Sequence, residues 1–384
     1  MKTYDYIILG AGAAGLSLAY RMSQDPYFEE KTIAVIDKDE KNKNDRTWCF
    51  WEKKKGVFDS VVKKRWSSLK FYSINFERSM TLNPYTYKMI SGLDFYNYVL
   101  NHLRKKSNID IITEEVVKVV EEKTVAFVNT TQNSYQTSQI FKSYPENLKE
   151  IASSTNHPFV YQHFKGYFIE TTTDYFDPDE ATFMDFRIDQ KGETRFLYVL
   201  PESSTKALVE VAIFSNSILA HSEYNQVVEN YIKEYLYIDN YSLLEEEFGI
   251  IPMTTYPFHQ HNTNTTFHIG TGGSIVKASS GYAFSRIQKH SDQLINCIKN
   301  NEPLNKSYDS LMGRFAFYDK IMLNAILEDF TTGKEVFTKI FKNLDAQHVF
   351  KFLDQETSFI GDLKTFTAPP TFPFIKSLFD LIKK

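Results

Sequence analysis

Glu210 is where chemistry is easiest to read from this chain. In the run Lys206 to Phe214, strand alternation puts Leu208, Glu210, Ala212 and Phe214 on one face, so a carboxyl group stands on an otherwise apolar surface. Removing a carboxylate from water raises its pKa, which makes the group a proton donor near neutral pH. An edge-strand glutamate paired with Arg195 or Lys206 would show the same spacing with no catalytic meaning. One strand earlier, Asp185 and Arg187 are two apart and share a face with Phe183, while Met184, Phe186 and Ile188 take the other. They read either as an ion pair shaping a site or as a solvated face. The segment Asp45-Arg46-Thr47-Trp48-Cys49-Phe50-Trp51-Glu52 gathers aromatic rings beside charges. Such rings can enclose a polyene or stabilise a cation, or form a packed satellite cluster with charges at its rim.

The elements that would position these groups start at the N-terminus. Tyr4 to Leu9 reads as a buried strand, and Gly10-Ala11-Gly12-Ala13-Ala14-Gly15 follows and opens a helix through Leu16, Leu18, Ala19 and Met22. Gly10 permits the tight turn, Gly12 lets the backbone approach a pyrophosphate, and Gly15 allows helix to pack on strand. A second strand, Lys31 to Ile36, ends in Asp37, placed to accept hydrogen bonds from an adenosine ribose. FAD is favoured over NAD because the fingerprint opens the chain and no regular alternation of strands and helices resumes after it. Thr182 to Ile188, Arg195 to Leu200 and Lys206 to Phe214 instead read as an antiparallel meander, the roof of a substrate site. A late glycine cluster, Gly270, Gly272 and Gly273, precedes Gly281-Tyr282 and a helix through Ile287, His290, Leu294 and Ile298. It reads as the chain's return to the cofactor.

Composition bounds the rest. The 384 residues suffice for two or three domains, and 44 Lys+Arg against 48 Asp+Glu leave a net charge of −4, which argues against nucleic acid as the main partner. Two cysteines, Cys49 and Cys297, exclude a disulfide scaffold, fit a reducing compartment and cannot supply a structural zinc site, so no metal is expected. The aromatic content of 15% suits a large apolar ligand, and equally an AT-biased genome. No window reaches the roughly 18 consecutive apolar residues of a membrane span, and Met1-Lys2-Thr3-Tyr4 lacks the pattern of a secretory signal. The last run, Pro373 to Lys384, has helical apolar spacing and terminal lysines; it reads as a helix closing the core or, alternatively, as an interfacial helix.

With these residues in hand, the chain resembles the flavin-dependent lycopene cyclases. The resemblance runs from the Gly10 fingerprint through Asp45-Arg46-Thr47-Trp48-Cys49-Phe50-Trp51 and Tyr161-Gln162-His163-Phe164-Lys165-Gly166. It is densest from Phe183-Met184-Asp185-Phe186-Arg187 through Arg195 to Pro201 and on to Leu208-Val209-Glu210, and closes with Gly249-Ile250-Ile251-Pro252 and Ser280-Gly281-Tyr282. Three stretches depart from the family pattern: Val211-Ala212 after Glu210, Lys277 to Ser280, and Ile140 to Ser143.

The resemblance implies an α/β fold: a Rossmann-type FAD domain (1–65, 92–160 and 265–300), an antiparallel substrate sheet (66–91 and 161–264) and a helical C-terminal region (301–384). It implies conversion of lycopene to γ-carotene and β-carotene by protonation, ring closure and proton loss, with reduced FAD, NADPH or NADH as reductant and no net redox change. Glu210 would be the acid and base, and Asp185 a supporting carboxylate. Gly10, Gly12, Ala13, Ala14, Gly15, Asp37, Arg46, Gly270, Gly272, Gly273, Gly281 and Tyr282 would contact the cofactor. Trp48, Trp51, Glu52, Arg187 and Phe214 would wall the substrate cavity. Lycopene dissolves in bilayers, so a cytoplasmic enzyme touching the inner face of the membrane is expected, with other carotenoid-pathway enzymes as possible neighbours. An FAD-dependent monooxygenase or isoprenoid reductase, and a carotenoid-binding protein without turnover, stay open as alternatives.

Overall fold

A computed structural model describes residues 1–148, 150–151, 157–309 and 311–383. The chain folds as two compact units, each assembled from three separated segments: 1–44, 92–157 and 254–317 in the first, 45–91, 158–253 and 318–384 in the second.

The first unit is built on β1 (Lys2–Leu9), β2 (Ile33–Asp37), β8 (Ile109–Thr113), β9 (Val116–Glu121), β10 (Ala126–Thr130), β11 (Ser134–Lys142) and β17 (Thr266–His268). Their order is β8-β2-β1-β11-β10-β9, with β17 against β11. The β8, β2, β1, β11 and β17 pairings are parallel, whereas β9, β10 and β11 form an antiparallel flap. Parallel strands buried on both faces need continuous apolar runs, and Ile33 to Ile36 is one, packed with Ile7, Leu9 and Ile140. Among the described residues, α1 (Ala13–Gln24), α2 (Gly92–Leu103) and, returning late, α4 (Phe284–Lys299) belong to this unit. Buried Arg21 of α1 ties the return in place through Asp292 (2.5 Å) and Gln288 (2.8 Å) of α4. Ile287, His290, Leu294 and Ile298 form the buried face of α4, as their spacing predicts.

In the second unit a seven-stranded sheet runs β16 (Ser242–Thr254), β12 (Phe159–Glu170), β15 (Lys206–Ser215), β14 (Thr194–Pro201), β13 (Glu180–Asp185), β5 (Ser68–Ser73), β6 (Phe76–Thr81). A smaller sheet is ordered β3 (Thr47–Glu52), β7 (Thr86–Ser91), β4 (Lys64–Trp66). The meander of β13, β14 and β15 is antiparallel as expected, but β13 pairs parallel with β5, so the larger sheet is mixed. Segment 45–65 lies in this unit and not with the glycine-bearing one, because β3 is laddered to β7 from Thr47–Ser91 to Glu52–Thr86. The C-terminal region is likewise no separate body. The unit boundary passes through α5 (Arg314–Leu327), and residues from 318 onward join the second unit.

Helix α3 (His221–Glu234) covers one face of the large sheet, where Tyr224, Val228, Tyr231 and Ile232 pack on Leu197, Val199, Val209 and Val211. Helices α6 (Gly333–Asn343) and α7 (Ala346–Leu353) cover the other with aromatic rings. Phe337 lies 5.9 Å from Phe186, and Phe341 and Phe350 lie 5.8 and 5.9 Å from Phe183.

Two short helices close the chain, α8 (Phe359–Phe366) and α9 (Thr371–Lys383). Helix α9 is inverted relative to a helix that closes a core. Ser377 is fully buried and donates to the Ile321 carbonyl (2.8 Å), and Asp380 accepts from Asn324 (3.1 Å). Phe372, Ile375, Phe379 and Ile382, at helical spacing, are 46 to 75% exposed. Phe359, Ile360 and Leu363 of α8 are exposed as well. Lys384, the last residue of the C-terminal run, lies outside the described residues. Among the described residues no helix is long and apolar enough to cross a membrane.

Candidate functional site

In the first unit the turn after β1 is shaped for a phosphate. Gly10 takes φ +97°, a left-handed conformation that glycine adopts freely. A Cβ at Gly15 would strike the carbonyl of Gly10, so that glycine serves helix packing. Gly12 differs from both. A Cβ there would meet nothing within 4 Å, and φ is −84°, so nothing in the protein itself asks for glycine. The start of α1 has no side-chain cap and no acidic residue in its first turn, which leaves its N–H groups and the positive end of the helix dipole for an anion. Ala13 and Ala14 are buried in that first turn. Asp37 ends β2, where its carboxylate accepts from the N–H groups of Ala11 (2.6 Å) and Asp39 (2.9 Å). Beside it opens a cavity of about 350 Å³ lined by Ala11, Asp37, Lys41, Asn97, Arg104 and Thr113. The late glycines come to the same turn. A Cβ at Gly270 would lie 2.6 Å from that of Ala14, one at Gly272 would lie 2.8 Å from the Tyr144 carbonyl, and one at Gly273 would lie 2.6 Å from the His268 carbonyl. Gly281 (φ +74°) and Tyr282 close a turn in which the Lys277 N–H donates to the Tyr282 carbonyl (3.0 Å). These residues fit a dinucleotide: free helix donors and an open glycine for phosphates, and a carboxylate beside a cavity for a ribose.

In the second unit Glu210 stands on β15 at the centre of the large sheet, opposite Gly166 of β12 and Tyr198 of β14. The edge-pair alternative does not hold, since Arg195 is bound to Glu193 and Lys206 to Glu170. Its partner is a second carboxyl group, Glu247 of β16, only 3% exposed and within hydrogen-bonding reach. The Thr47 hydroxyl donates to Glu247 Oε2 (2.7 Å). Glu247 Oε1 takes no hydrogen bond from any other described group. Gly166 makes room for the pair: a Cβ there would lie 3.1 Å from Glu210 Oε2, 3.0 Å from Glu247 Cγ and 2.7 Å from a methyl of Leu208.

Burial, then the negative charge of Glu247 and the hydrogen bond to it, hold the Glu210 carboxyl well above the usual carboxylate range. Burial also raises Glu247, but the hydrogen bonds from Glu210 and Thr47 and the field of Arg46 counter it. Two unit charges about 4 Å apart repel by roughly 4 kcal/mol at an effective dielectric near 20, or about three pKa units, so such a pair keeps one proton. Thr47 and Arg46 favour the charge on Glu247, which leaves the shared proton to Glu210. Glu210 retains some accessible surface. Cys49 of β3 lies close by, its thiol pushed well up by burial and then by Glu210.

The other residues singled out from sequence fall on both sides of this centre. Phe214 shares the face of Glu210, and Trp51 shares the face of Thr47 and Cys49, stacked on Phe350 at 4.5 Å. Trp48 and Glu52 take the opposite face of β3, where Glu52 and Asp59 hold the buried Lys88 ammonium at 2.8 and 2.6 Å. Arg46 lies in the second unit, 3.9 Å from Asp45 and in electrostatic contact with Glu247. Asp185 and Arg187 do not share a face with Phe183. A register shift between Thr182 and Asp185 inserts a residue, so β13 ends at Asp185 and that side chain turns to the α3 side with Leu197. There Asp185, fully buried, holds the Arg187 guanidinium (2.5 to 3.0 Å) and accepts from the Tyr231 hydroxyl (2.7 Å). Arg187 also stacks on Tyr72 at 4.2 Å. This cluster fastens α3 to the sheet, across the sheet from Glu210. Sequence reading missed Glu247 and Thr47. Their only signal was a glutamate alternating with Gly249 in a strand, and Thr47 is 200 residues away.

The family model described as lycopene cyclase protein matches residues 5–379. Among curated proteins nothing matches. Solved structures share the fold at low identity. A geranylgeranyl bacteriochlorophyll reductase-like protein from Thermoplasma acidophilum superposes with a TM-score of 0.69 at 14% identity, covering 99% of this chain and 100% of that one. The p-nitrophenol 4-monooxygenase of Pseudomonas putida gives 0.59 at 13%, covering 99% and 98%. The halogenase PltM, solved as a point mutant in complex with FAD, gives 0.57 at 9%, covering 91% and 78%. The fold is that of Rossmann-type flavoproteins, and with its family pattern matched over nearly the whole length the chain belongs to the lycopene cyclase protein family.

Proposed function

We propose that the protein is a lycopene β-cyclase that binds FAD in its first unit and does its acid–base chemistry in the second. The observation that carries this reading is the Glu210 carboxyl beside Glu247 on an aromatic-walled sheet face, held above the usual carboxylate range by burial, in a chain whose family pattern matches over residues 5–379. Gly12, the first turn of α1 and Asp37 would hold the pyrophosphate and ribose, with Gly270, Gly272, Gly273 and Gly281 shaping the turns around them. Bound and reduced, FAD would supply an electron-rich ring able to stabilise a cation, with NADPH or NADH as the source of electrons.

The protein's own part is proton movement and shielding. The Glu210 O–H bond breaks as the terminal alkene of lycopene takes the proton, and the alkene electrons form the new C–H bond. A second double bond closes the ring onto the resulting cation. Loss of a ring proton to the Glu210 carboxylate restores a double bond and the acid, so atoms and electrons balance without oxidant or reductant. The π faces of Tyr198, Phe196 and Phe183 stabilise positive charge and exclude the water that would trap it. Lycopene has to be collected from a bilayer, and the outward apolar stripe of α9 with the exposed side chains of α8 supports a peripheral membrane contact.

Anaerobic incubation of the protein with lycopene in liposomes, FAD and NADPH tests the reading. Cyclic products of unchanged mass are expected, with NADPH used only to prime the flavin. The likeness to a reductase-like structure favours a second reading, an isoprenoid reductase. That enzyme would consume NADPH one for one and yield a heavier product.

A further inference from the structure

We infer that Glu247 is a positioning residue for the acid: it shares one proton with Glu210, keeps that proton on Glu210 before the reaction, and makes Glu210 a strong enough base to recover a proton afterwards. The inference rests on the cyclase reading for its substrate, but not for its geometry.

Four observations place the pair. Glu210 and Glu247 come from β15 and β16, which both flank β12, and they meet over Gly166, where a side chain would press on the Glu210 carboxyl, the Glu247 stem and Leu208. Glu247 is almost wholly buried, and its Oε1 has no donor among the described residues except what Glu210 can offer. An ionised Glu210 has no hydrogen to offer, so only the protonated form satisfies that oxygen. Thr47, fixed by the β3–β7 ladder, spends its hydroxyl on the other oxygen and so biases the proton toward Glu210.

The charged and titratable groups facing the pair do not supply a competing proton. Burial raises the Cys49 thiol, which keeps its proton and is hydrogen-bonded to Tyr87. Tyr198 stands across the ladder from Glu210, and Arg46 and Glu245 face Glu247 with opposite charges. Once Glu210 has given its proton to the substrate, two carboxylate charges lie side by side next to the carbocation. Their repulsion raises the basicity of Glu210, and their joint charge stabilises the cation. When the ring proton leaves, its C–H electrons form the double bond and the proton returns to Glu210, restoring the shared-proton state.

The test is a pH titration of the protonated-carboxyl C=O stretch by infrared difference spectroscopy on FAD-loaded protein without substrate, beside the pH profile of lycopene conversion. In native protein the band persists at neutral pH. Glu247→Gln removes the charge and adds an amide donor, so the band and the alkaline limb of activity should both move to lower pH, by about one to three units. Thr47→Val withdraws support from ionised Glu247 and should move both to higher pH. Opposite shifts in two variants cannot come from a general loss of packing, and Thr47→Val keeps the test open should Glu247→Gln not fold. Uniform loss of activity in both variants with unmoved midpoints would overturn the inference. Should native protein leave lycopene unchanged while the band still shifts in opposite directions, the pair stands and the substrate reading fails.

Discussion

A carboxyl group that keeps its proton in a folded protein leaves a mark on stability as well as on rate. Glu210 has a folded pKa raised above its unfolded value, so between the two the native state binds the extra proton, and stability falls as pH rises through that window. Glu210→Gln removes the titration while its amide can still donate to Glu247. Its melting temperature should exceed that of native protein at pH 8 and approach it toward pH 4.5, as scanning calorimetry would show. The same substitution should lower cyclisation by about 10² to 10⁴. Glu210 was legible from sequence because a period of two is enough to place a lone carboxyl on an apolar face. Glu247 was not, because it ends the run Glu245-Glu246-Glu247, which reads as a solvated edge, and its burial depends on β12 and a threonine far away in the chain. Asp185 shows the converse: its type and spacing were read correctly, but one inserted residue in β13 sends it to the other face.

At the scale of elements, glycines separate what the fold needs from what a ligand needs. Gly12→Ala meets no protein atom, so the apoprotein should melt as before while FAD binds at least tenfold more weakly by fluorescence titration. Gly15→Ala forces α1 off β1 and should cost about 1 to 3 kcal/mol with or without cofactor. Gly166→Ala pushes against Leu208, the Glu247 stem and the Glu210 carboxyl. It should destabilise by a similar amount and lower cyclisation more than a remote substitution of equal cost, measured as activity against melting temperature. The strand, turn, helix and terminal acid of the first unit were readable because each depends on neighbours in sequence. The parallel pairing of β13 with β5 was not, since strand alternation says nothing about which distant strand becomes the partner.

For the whole molecule, the two compact units divide the chain otherwise than the three regions expected from sequence. Segment 45–65 follows its ladder partner β7 into the second unit, and the helices after residue 317 close that unit's aromatic face instead of forming a body of their own. The same helices end in an apolar surface that a closed core would have covered. Phe372→Ser with Phe379→Ser should leave the melting temperature within about 1 °C, as expected for exposed positions, and reduce sedimentation with anionic liposomes severalfold. Unchanged sedimentation would remove α9 from the membrane contact. A Glu210 that gives the substrate a solvent-derived proton with no net transfer of electrons must mark the product when the anaerobic reaction runs in D₂O. The proton delivered stays on carbon while a different one leaves, so one deuterium per ring closed is expected, and none of this labelled product from Glu210→Gln. A cyclic product without deuterium, or a product that has gained two hydrogens in step with NADPH consumed, would contradict it.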